Sequence, residues 1–303
     1  MKQHIGGHIM GEKGADYHLH QTYWTNLKRL SGADVDDFHG LSVTVNWPHR
    51  PQDIDMLLRL GQGYIARDSI ARPLGAGMWF DYENDAAMIS MMITHPKLQT
   101  GGLGSEVLAA IEVQLDGFRV RLNATRSAWR LYRSTGFRDT GNVVQYQGIV
   151  RSDDQEPTMA LGVRAADLGD LSAIRALDGN VFGAKRDDVL AQIFARSQTY
   201  VMEDAGQITG FAMCRIFGRG HVVGPLIAGS EADAIALVRV FARDHANEFL
   251  RLDADARHSE LGRYLNSVGL ETYDTVVAMT KGTHFGPEDA VEHVYALASQ
   301  ALG

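Results

Sequence analysis

Three glycines crowd the segment HPKLQTGGLGSEVLAAIE, residues 95–112, directly before a helical pattern. The glycines are Gly101, Gly102 and Gly104. The apolar residues that follow at helical spacing are Val107, Leu108 and Ile111. A glycine-rich turn that leads into a helix can bring backbone N–H groups around an anion, and the dipole of the helix N-terminus adds to the attraction. The segment therefore predicts an anion-binding loop.

Three classes of phosphate-binding loop have this general form. A P-loop needs GxxxxGK followed by Ser or Thr, and no Lys stands at this helix start. A dinucleotide-binding fold needs G-x-G-x-x-G after its first strand, whereas this G-G-x-G follows the fourth predicted strand. The first two classes are thus disfavoured.

The third class is one that the sequence resembles in several places. The signature Q/R-x-x-G-x-G/A of the GNAT N-acetyltransferases is present as Gln99, Thr100, Gly101, Gly102, Leu103 and Gly104, with Pro96 before it. Downstream, LNAT ends a predicted strand at Asn123, and AWRLYRSTGF fits the family pattern A-x-x-L-Y-x-x-x-G-F with Tyr132, Gly136 and Phe137. NWPHRPQD, near residue 46, is similar to the opening of tandem bacterial members. Three motifs in the right order make the resemblance specific.

The resemblance implies acetyl-CoA as the cosubstrate and no metal cofactor. Its pyrophosphate would be held by the N–H groups of residues 100–105, which include Ser105, because glycine lets the backbone approach closely. The strand before the loop would splay at a bulge, which places Met92, Ile93 and Thr94 beside the pantetheine arm and the acetyl group. Asn123 would bind the pantetheine or the loop, or would only cap the strand.

Tyr132 is the candidate catalytic residue. At the position of the family's tyrosine, its hydroxyl would protonate the departing thiolate of coenzyme A; packing in the core is the alternative. The general base is left open among Asp81, Glu83, Asp85 and His95, because the strand itself offers only Ser90 and Thr94 as polar groups. An amine that binds already neutral would need no base.

Composition limits the class of protein. A chain of 303 residues with 45 % hydrophobic and 22 % charged residues fits two soluble globular domains. The net charge of -8 comes from residues 151–303, which hold 14 Lys and Arg against 22 Asp and Glu, and it disfavours nucleic-acid binding. No apolar run approaches the length of a membrane span. The single cysteine, Cys214, excludes an intramolecular disulfide and fits a cytoplasmic location.

The predicted fold class is α/β, with two tandem GNAT-like domains, each a mixed, mostly antiparallel twisted sheet flanked by helices. Residues 1–40, polar and rich in His, form an N-terminal extension that lacks the partners to complete a metal site. Residues 41–150, which begin with the predicted strand LSVTVNW, form the catalytic domain, and the polar segment 151–158 is the linker. Residues 159–303 form a second copy, ending in a helix over PEDAVEHVYALASQAL that either caps this domain or mediates a homodimer.

The second copy has lost the signature. Its equivalent turn, PLIAGSEADA, keeps Gly229 without a G-x-G, and Leu265 stands opposite Tyr132. This copy is therefore expected neither to bind coenzyme A in the usual way nor to catalyse. Arg219 and Asp253 are candidates for a substrate-lining surface, although ordinary surface positions are favoured for both.

We therefore expect an N-acetyltransferase that moves the acetyl group directly to a primary amine of a small molecule, such as an amino acid, a polyamine or an amino sugar. Cys214 is distant in sequence from the motif, so no acyl-enzyme is indicated. A non-catalytic sensor of acyl-CoA is the alternative from another class.

Overall fold

The computed structural model describes residues 9–10, 16–20, 23–99, 101–151, 162–283 and 293–303. Contacts divide the chain into two compact units, one of Met1–Phe80 with Ile89–Asp116 and one of Asp81–Met88 with Gly117–Gly303. None of the helices within the described ranges combines the length and the apolar character needed to cross a bilayer.

The first unit is built on antiparallel strands and three helices. In chain order its elements are β1 (Ile9–Met10), β2 (Asp16–His20), β3 (Tyr23–Arg29), α1 (Val35–Thr44), α2 (Pro51–Leu60), β4 (Gln62–Asp68), β5 (Pro73–Tyr82), β6 (Ala86–Thr94) and α3 (Leu103–Gln114). Strands β1 to β5 pair antiparallel in chain order. The ends of β5 and β6 that adjoin their connecting turn belong to the second unit.

The second unit holds the remaining elements. They are β7 (Arg119–Ala124), α4 (Trp129–Ser134), β8 (Arg138–Ile149), β9 (Val163–Ala165), α5 (Leu171–Phe182), α6 (Asp187–Phe194), β10 (Ser197–Asp204), β11 (Gln207–Phe217), β12 (Gly220–Ala228), α7 (Glu231–Asp244), β13 (Phe249–Asp255), α8 (Ser259–Ser267), β14 (Glu271–Lys281) and β15 (His293–Ala296). Two pairs are parallel, β6 with β7 and β12 with β13, and the other pairings are antiparallel. The predicted fold class, a mixed and mostly antiparallel sheet with helices, is confirmed.

Strands β8 and β14 explain why the units cut across the predicted domain boundary near residue 150. Strand β14 lies between β7 and β8, and β8 pairs along its other edge with β13. The last strand of each sequence repeat is thus paired with strands of the other repeat. Because these long ladders carry many backbone hydrogen bonds, β7, α4 and β8 group with the second half of the chain.

The strand predicted over LSVTVNW is wrong, because the first four of these residues, 41–44, form the end of helix α1. Ser31 and Asp34 form a capping box before the helix, and Phe38 and Leu41 are buried one turn apart, whereas Val43 is 54 % exposed. Capping and burial at helical spacing outweigh the β-propensity of the valines and threonine. The predicted domain start at residue 41 therefore falls inside a helix. Strand β3, which precedes that helix in the chain, pairs with β4 and so belongs to the same sheet.

The predicted C-terminal helix is also wrong for its described part, residues 293–303. His293–Ala296 form strand β15, which pairs antiparallel with β12 through three residues and meets β13 at Ala254. Strands β12 and β13 pair with each other only over residues 221–223 and 250–252. Where they separate, an extended segment can bond to both edges, which a helix cannot do. The other part of that prediction lies outside the described residues.

Candidate functional site

Strand β6 contains the irregularity that a bulge requires. Met91 has φ of 53°, a left-handed conformation that is rare for a non-glycine residue inside a strand. The three predicted cofactor residues follow it: Ile93 is buried, whereas Met92 and Thr94 are half-buried. The bulge thus re-aims the end of β6 immediately before the glycine loop.

Two glycines on β5, not identified from the sequence, let α3 lie close against the sheet. A Cβ on Gly77 would collide with the Met92 sulfur and with side chains of α3, and one on Gly75 would come within 3.0 Å of the Ile93 carbonyl oxygen. Both glycines lie on the same face of β5. Glycine at alternate positions, as in PLGAGMW, signals a close approach to that face and would have found them.

The segment between β6 and α3 is an ordered turn. Pro96–Leu98 form a short 3-10 helix, held inward by the buried Leu98. The side-chain amide of the next residue, Gln99, donates through Nε2 to the Thr94 carbonyl oxygen at 3.5 Å, which links the loop to the end of β6. Thr100, also predicted to bind the cofactor, lies outside the described residues.

The N–H groups of the loop are only partly available to an anion. Gly101 N–H donates to the Leu98 carbonyl at 3.0 Å, and Ser105 N–H donates to the Gly102 carbonyl at 3.0 Å. Within the described residues, no hydrogen bond engages the N–H groups of Gly102, Leu103 and Gly104, which are donors that a helix N-terminus leaves free. The candidate anion cradle is therefore narrower than the predicted span of residues 100–105.

Gly102 has a conformational reason to be glycine. It stands directly before α3 with φ of 92°, where an L-residue is strained. Leu103, next to it, is fully buried, which leaves the exposed Gly102 and the half-buried Gly104 as the accessible N–H donors.

A cavity of about 170 Å³ lies beside this loop. Its lining comprises Arg72, Pro73, Leu74, His95, Lys97 and Leu98. His95 Nδ1 accepts the N–H of Lys97 at 3.3 Å, so in the neutral ring Nε2 carries the proton. This tautomer makes His95 a donor rather than a base at Nε2. Arg72 is paired with the buried Asp68 at 2.6 Å, so the positive charge that favours an anionic group in this cavity comes mainly from Lys97.

Tyr132 lies on α4 with its side chain 4 % exposed. Its ring meets Phe137 edge-on, with 5.9 Å between the ring centroids. Burial raises the pKa of Tyr132 well above its usual range, so the phenol is protonated at neutral pH. Within the described chain no hydrogen bond to its hydroxyl is found.

Asn123, at the end of β7, contacts the C-terminal segment. Its side-chain N–H donates to the Gln300 carbonyl oxygen at 3.0 Å, and the Gln300 N–H donates to Asp253 at 3.2 Å. Asp253 is fully buried and forms a bidentate ion pair with Arg251 on β13. The surface position that we favoured for Asp253 is therefore wrong, whereas Arg219 is exposed as expected.

The candidate general bases in the turn between β5 and β6 are all exposed. Glu83 forms an ion pair with Lys185 at 3.5 Å, and the Asp85 carbonyl accepts the Arg119 N–H. The structure gives none of Asp81, Glu83 and Asp85 a place inside a closed site, so none is favoured as a base.

The second repeat differs at the equivalent helix start. Ser230 caps α7 by accepting the Asp233 N–H, and the first turn carries two carboxylates, Glu231 and Asp233. Negative side chains and an internal cap occupy the place where an anion would bind. Leu265, opposite Tyr132 in the repeat, is buried and offers no proton.

The C-terminal segment fills the separation between β12 and β13. Gly224 on β12 admits it, since a Cβ there would overlap the Leu297 carbonyl oxygen. The buried Arg215 donates to the carbonyl oxygens of Gly224 at 2.8 Å and Ala298 at 2.7 Å. Arg186, itself paired with the buried Asp178, donates to the Gly303 carbonyl at 2.6 Å. The sequence carried no sign of this, because the segment reads as an amphipathic helix.

Comparison with known proteins places these features in one family. Residues 62–153 match a family model described as an acetyltransferase (GNAT) domain, and residues 174–296 match a second model with the same description. The two matches together cover most of the chain. No curated protein sequence matched it.

Solved structures agree over nearly the whole length. A Pyrococcus horikoshii protein, provisionally described as an acetyltransferase, has a TM-score of 0.75 at 20 % identity, covering 94 % of this chain and 99 % of that one. A GCN5-related N-acetyltransferase from Sphaerobacter thermophilus has a TM-score of 0.59 at 16 % identity, covering 87 % and 97 %. A tandem GNAT protein from the clavulanic acid biosynthesis pathway has a TM-score of 0.56 at 13 % identity, covering 86 % and 99 %. At these identities the likeness concerns the fold.

Proposed function

Because this chain belongs to the GNAT acetyltransferase family and is an acyltransferase with two GNAT domains, we propose that its first domain transfers the acetyl group of acetyl-CoA directly to a primary amine of a small molecule. The observation that best supports this proposal is the loop at the start of α3. Its left-handed Gly102 and the N–H groups of Gly102 and Gly104 suit a pyrophosphate at a helix N-terminus. The adjacent cavity, with Arg72, His95 and Lys97, suits a further phosphate of the same cofactor.

The transfer step needs an acid for the thiolate and a polarised thioester. The amine nitrogen attacks the thioester carbonyl carbon, the C–S bond breaks, and the phenol of Tyr132 donates its proton to the departing sulfur. A backbone N–H of Met92 to Thr94, exposed by the bulge at Met91, would hold the carbonyl oxygen. With no carboxylate favoured as a base, the amine would bind already neutral, and the protein would contribute mainly position and electrostatics.

Direct transfer predicts sequential kinetics in both substrates. Cys214 is 3 % exposed, and burial raises the pKa of its thiol to about 12, so it is a poor nucleophile for an acyl-enzyme. An amine library screened by release of free thiol would identify the acceptor. Initial rates at varied acetyl-CoA and acceptor should then give intersecting double-reciprocal lines. Parallel lines together with an isolable acetyl-enzyme would refute the direct mechanism.

We propose that only the first copy binds coenzyme A. In the second, β15 lies along the edges of β12 and β13, and the capped, acidic start of α7 opposes a pyrophosphate. Gly102→Asp is therefore expected to remove the single site, weakening coenzyme A binding at least about 100-fold through lost charge-assisted hydrogen bonds and added repulsion. Isothermal calorimetry measures both stoichiometry and affinity.

Gly117→Asp is the matched control. Gly117 also has positive φ, 81°, stands beyond the other end of α3 and has no atom within 4 Å of an added Cβ. It introduces the same strain and charge away from the cradle and should leave the affinity unchanged. A second binding event in the wild-type protein, or undiminished affinity in Gly102→Asp, would contradict the assignment.

A further inference from the structure

Three side chains in the second unit converge where β12 begins and α7 gives way to β13. One ring nitrogen of His221, one ring nitrogen of His245 and one carboxylate oxygen of Glu248 all lie within 4.8 Å of one another. None of the three belongs to the transfer site proposed above. Imidazole and carboxylate are ligands that Zn²⁺ and related divalent ions use in proteins.

The distances suit one small cation. Glu248 Oε2 shares a hydrogen bond with His245 Nδ1 at 2.8 Å and lies 3.4 Å from His221 Nδ1, so a bound ion would take the place of the shared proton. In a tetrahedral site with bonds of about 2.0–2.1 Å, neighbouring ligand atoms stand roughly 3.3 Å apart. The two imidazole rings, with centroids 4.1 Å apart, already turn Nδ1 towards the same oxygen. Small side-chain rotations would complete the three ligand positions.

The backbone holds these residues in place. His221 pairs with Ile216 of β11 and Leu250 of β13. The His245 N–H donates to the Phe241 carbonyl at 2.9 Å, and the Glu248 N–H donates to the His245 carbonyl at 2.9 Å. Ligands fixed by regular structure lose little conformational freedom on binding.

The lone cysteine completes the arrangement behind the ligands. Cys214 Sγ lies 3.6 Å from His245 Nε2, on the ring atom opposite the one that faces Glu248. Metal-binding histidines commonly engage a polar group through their second nitrogen, which fixes the orientation of the ring. Cys214 is therefore a positioning residue for His245 rather than a ligand.

We propose that His221, His245 and Glu248 form a binding site for one Zn²⁺ ion, with water in the fourth position. The side chain of Glu248 is 54 % exposed, which leaves room for that water and a path of entry. The ion would join β12, the end of α7 and the start of β13. The sequence predicted no metal, and this trio escaped notice because its members are separated by 24 and 3 residues and share no motif.

The test is a Zn²⁺ titration of the full chain, free of any affinity tag and stripped with a chelator. His4, His8, His18 and His20 are first replaced by Ala, so that the histidine-rich N-terminus contributes no binding. Calorimetry measures affinity, the visible absorption of Co²⁺ reports a tetrahedral nitrogen and oxygen site, and thermal unfolding reports coupling to the fold. His221→Ala and Glu248→Gln each remove a proposed ligand, and Cys214→Ala removes the group behind His245. His293→Ala is the control, because His293 is an exposed histidine outside the trio.

The background protein should bind a single Zn²⁺ and unfold at a higher temperature when loaded. His221→Ala should weaken binding about 100-fold and Cys214→Ala about 10-fold, by analogy with ligand and outer-partner losses elsewhere, while His293→Ala has no effect. Circular dichroism and metal-free unfolding confirm that each variant is folded. No saturable Zn²⁺ binding by the background protein, or binding that survives both His221→Ala and Glu248→Gln, would overturn the proposal.

Discussion

Tyr132→Phe is expected to lower kcat by about 100-fold or more while leaving the affinity for coenzyme A within about threefold, because a general acid acts on the departing thiolate and not on the bound ground state. The substitution removes one oxygen and keeps the edge-on contact with Phe137. The fold should therefore be preserved. Calorimetry with coenzyme A and steady-state kinetics with the acceptor separate the two effects.

The pH dependence sharpens this test. Burial raises the pKa of Tyr132 well above the ordinary value of a phenol, so the acid is protonated throughout the neutral and mildly alkaline range. The ratio of wild-type to variant kcat should accordingly stay constant from about pH 6 to 9. A ratio that collapses within this range would show that another group supplies the proton.

Tyr273→Phe is the matched control for Tyr132→Phe. Tyr273 lies on β14 with its side chain 59 % exposed, so the same loss of a hydroxyl should leave both kcat and affinity unchanged. If Tyr132→Phe keeps at least a third of the wild-type kcat, the phenol is not the acid and packing is its role. If neither the wild-type protein nor Tyr132→Phe turns over any amine while both bind coenzyme A, the alternative role as an acyl-CoA sensor is supported.

Arg186→Leu is expected to destabilise the protein by about 3–5 kcal/mol, the range seen when one partner of a buried ion pair is removed. Arg186 and Asp178 have fully buried side chains that meet at 2.8 Å. Burial works against the charge on Arg186, but the adjacent carboxylate of Asp178 raises its pKa overall, so it remains a cation. The variant would leave the buried carboxyl group of Asp178 without the partner it has in the wild-type protein.

The contacts of Arg186 with the C-terminal segment place the expected loss in the upper part of this range. Arg186 also donates to the carbonyl oxygens of Leu302 at 3.0 Å and Gly303 at 2.6 Å, and the Tyr82 hydroxyl donates to Leu302 at 2.9 Å. Without Arg186, the Gly303 carbonyl loses a buried donor, which costs about 1–3 kcal/mol. Chemical denaturation measures the difference in free energy of unfolding.

Two comparisons test the explanation. Arg257→Leu removes an ion pair with Asp255 whose arginine is 77 % exposed, and it should cost no more than about 1 kcal/mol. Combining Arg186→Leu with Asp178→Leu should restore part of the loss, because no unpaired carboxylate is then buried. Equal destabilisation by Arg186→Leu and Arg257→Leu would show that the buried network contributes little.

Local sequence was sufficient for most of the elements and for the glycine-rich turn before α3. The helix after Gly102, the strand before it and the helix carrying Tyr132 follow from periodicity and glycine placement, and each lies where it was predicted. The loop is recognisable because its chemistry resides in the backbone of one short segment. Gly102 has φ of 92°, and a glycine directly before a helical pattern indicates such a left-handed position in the sequence.

Contacts outside the segment decided what the pattern within it could not. Val43 and its neighbours have strand propensity, yet the capping box at Ser31 and the burial of Phe38 make a helix. His293–Ala296 have helical spacing, yet the unsatisfied edges of β12 and β13 make a strand. In both cases the deciding partner lies far along the chain or outside the segment.

The sequence alone thus determined that this protein has a glycine-rich helix start in one repeat and none in the other, and such a start is the feature on which we base the proposed anion site. The tertiary structure decided how the second repeat is closed. Its own C-terminal residues lie between β12 and β13, held by Arg215 and Arg186. That contact depends on strand separation, buried charge and a carbonyl fitting against Gly224, none of which is encoded in a local pattern.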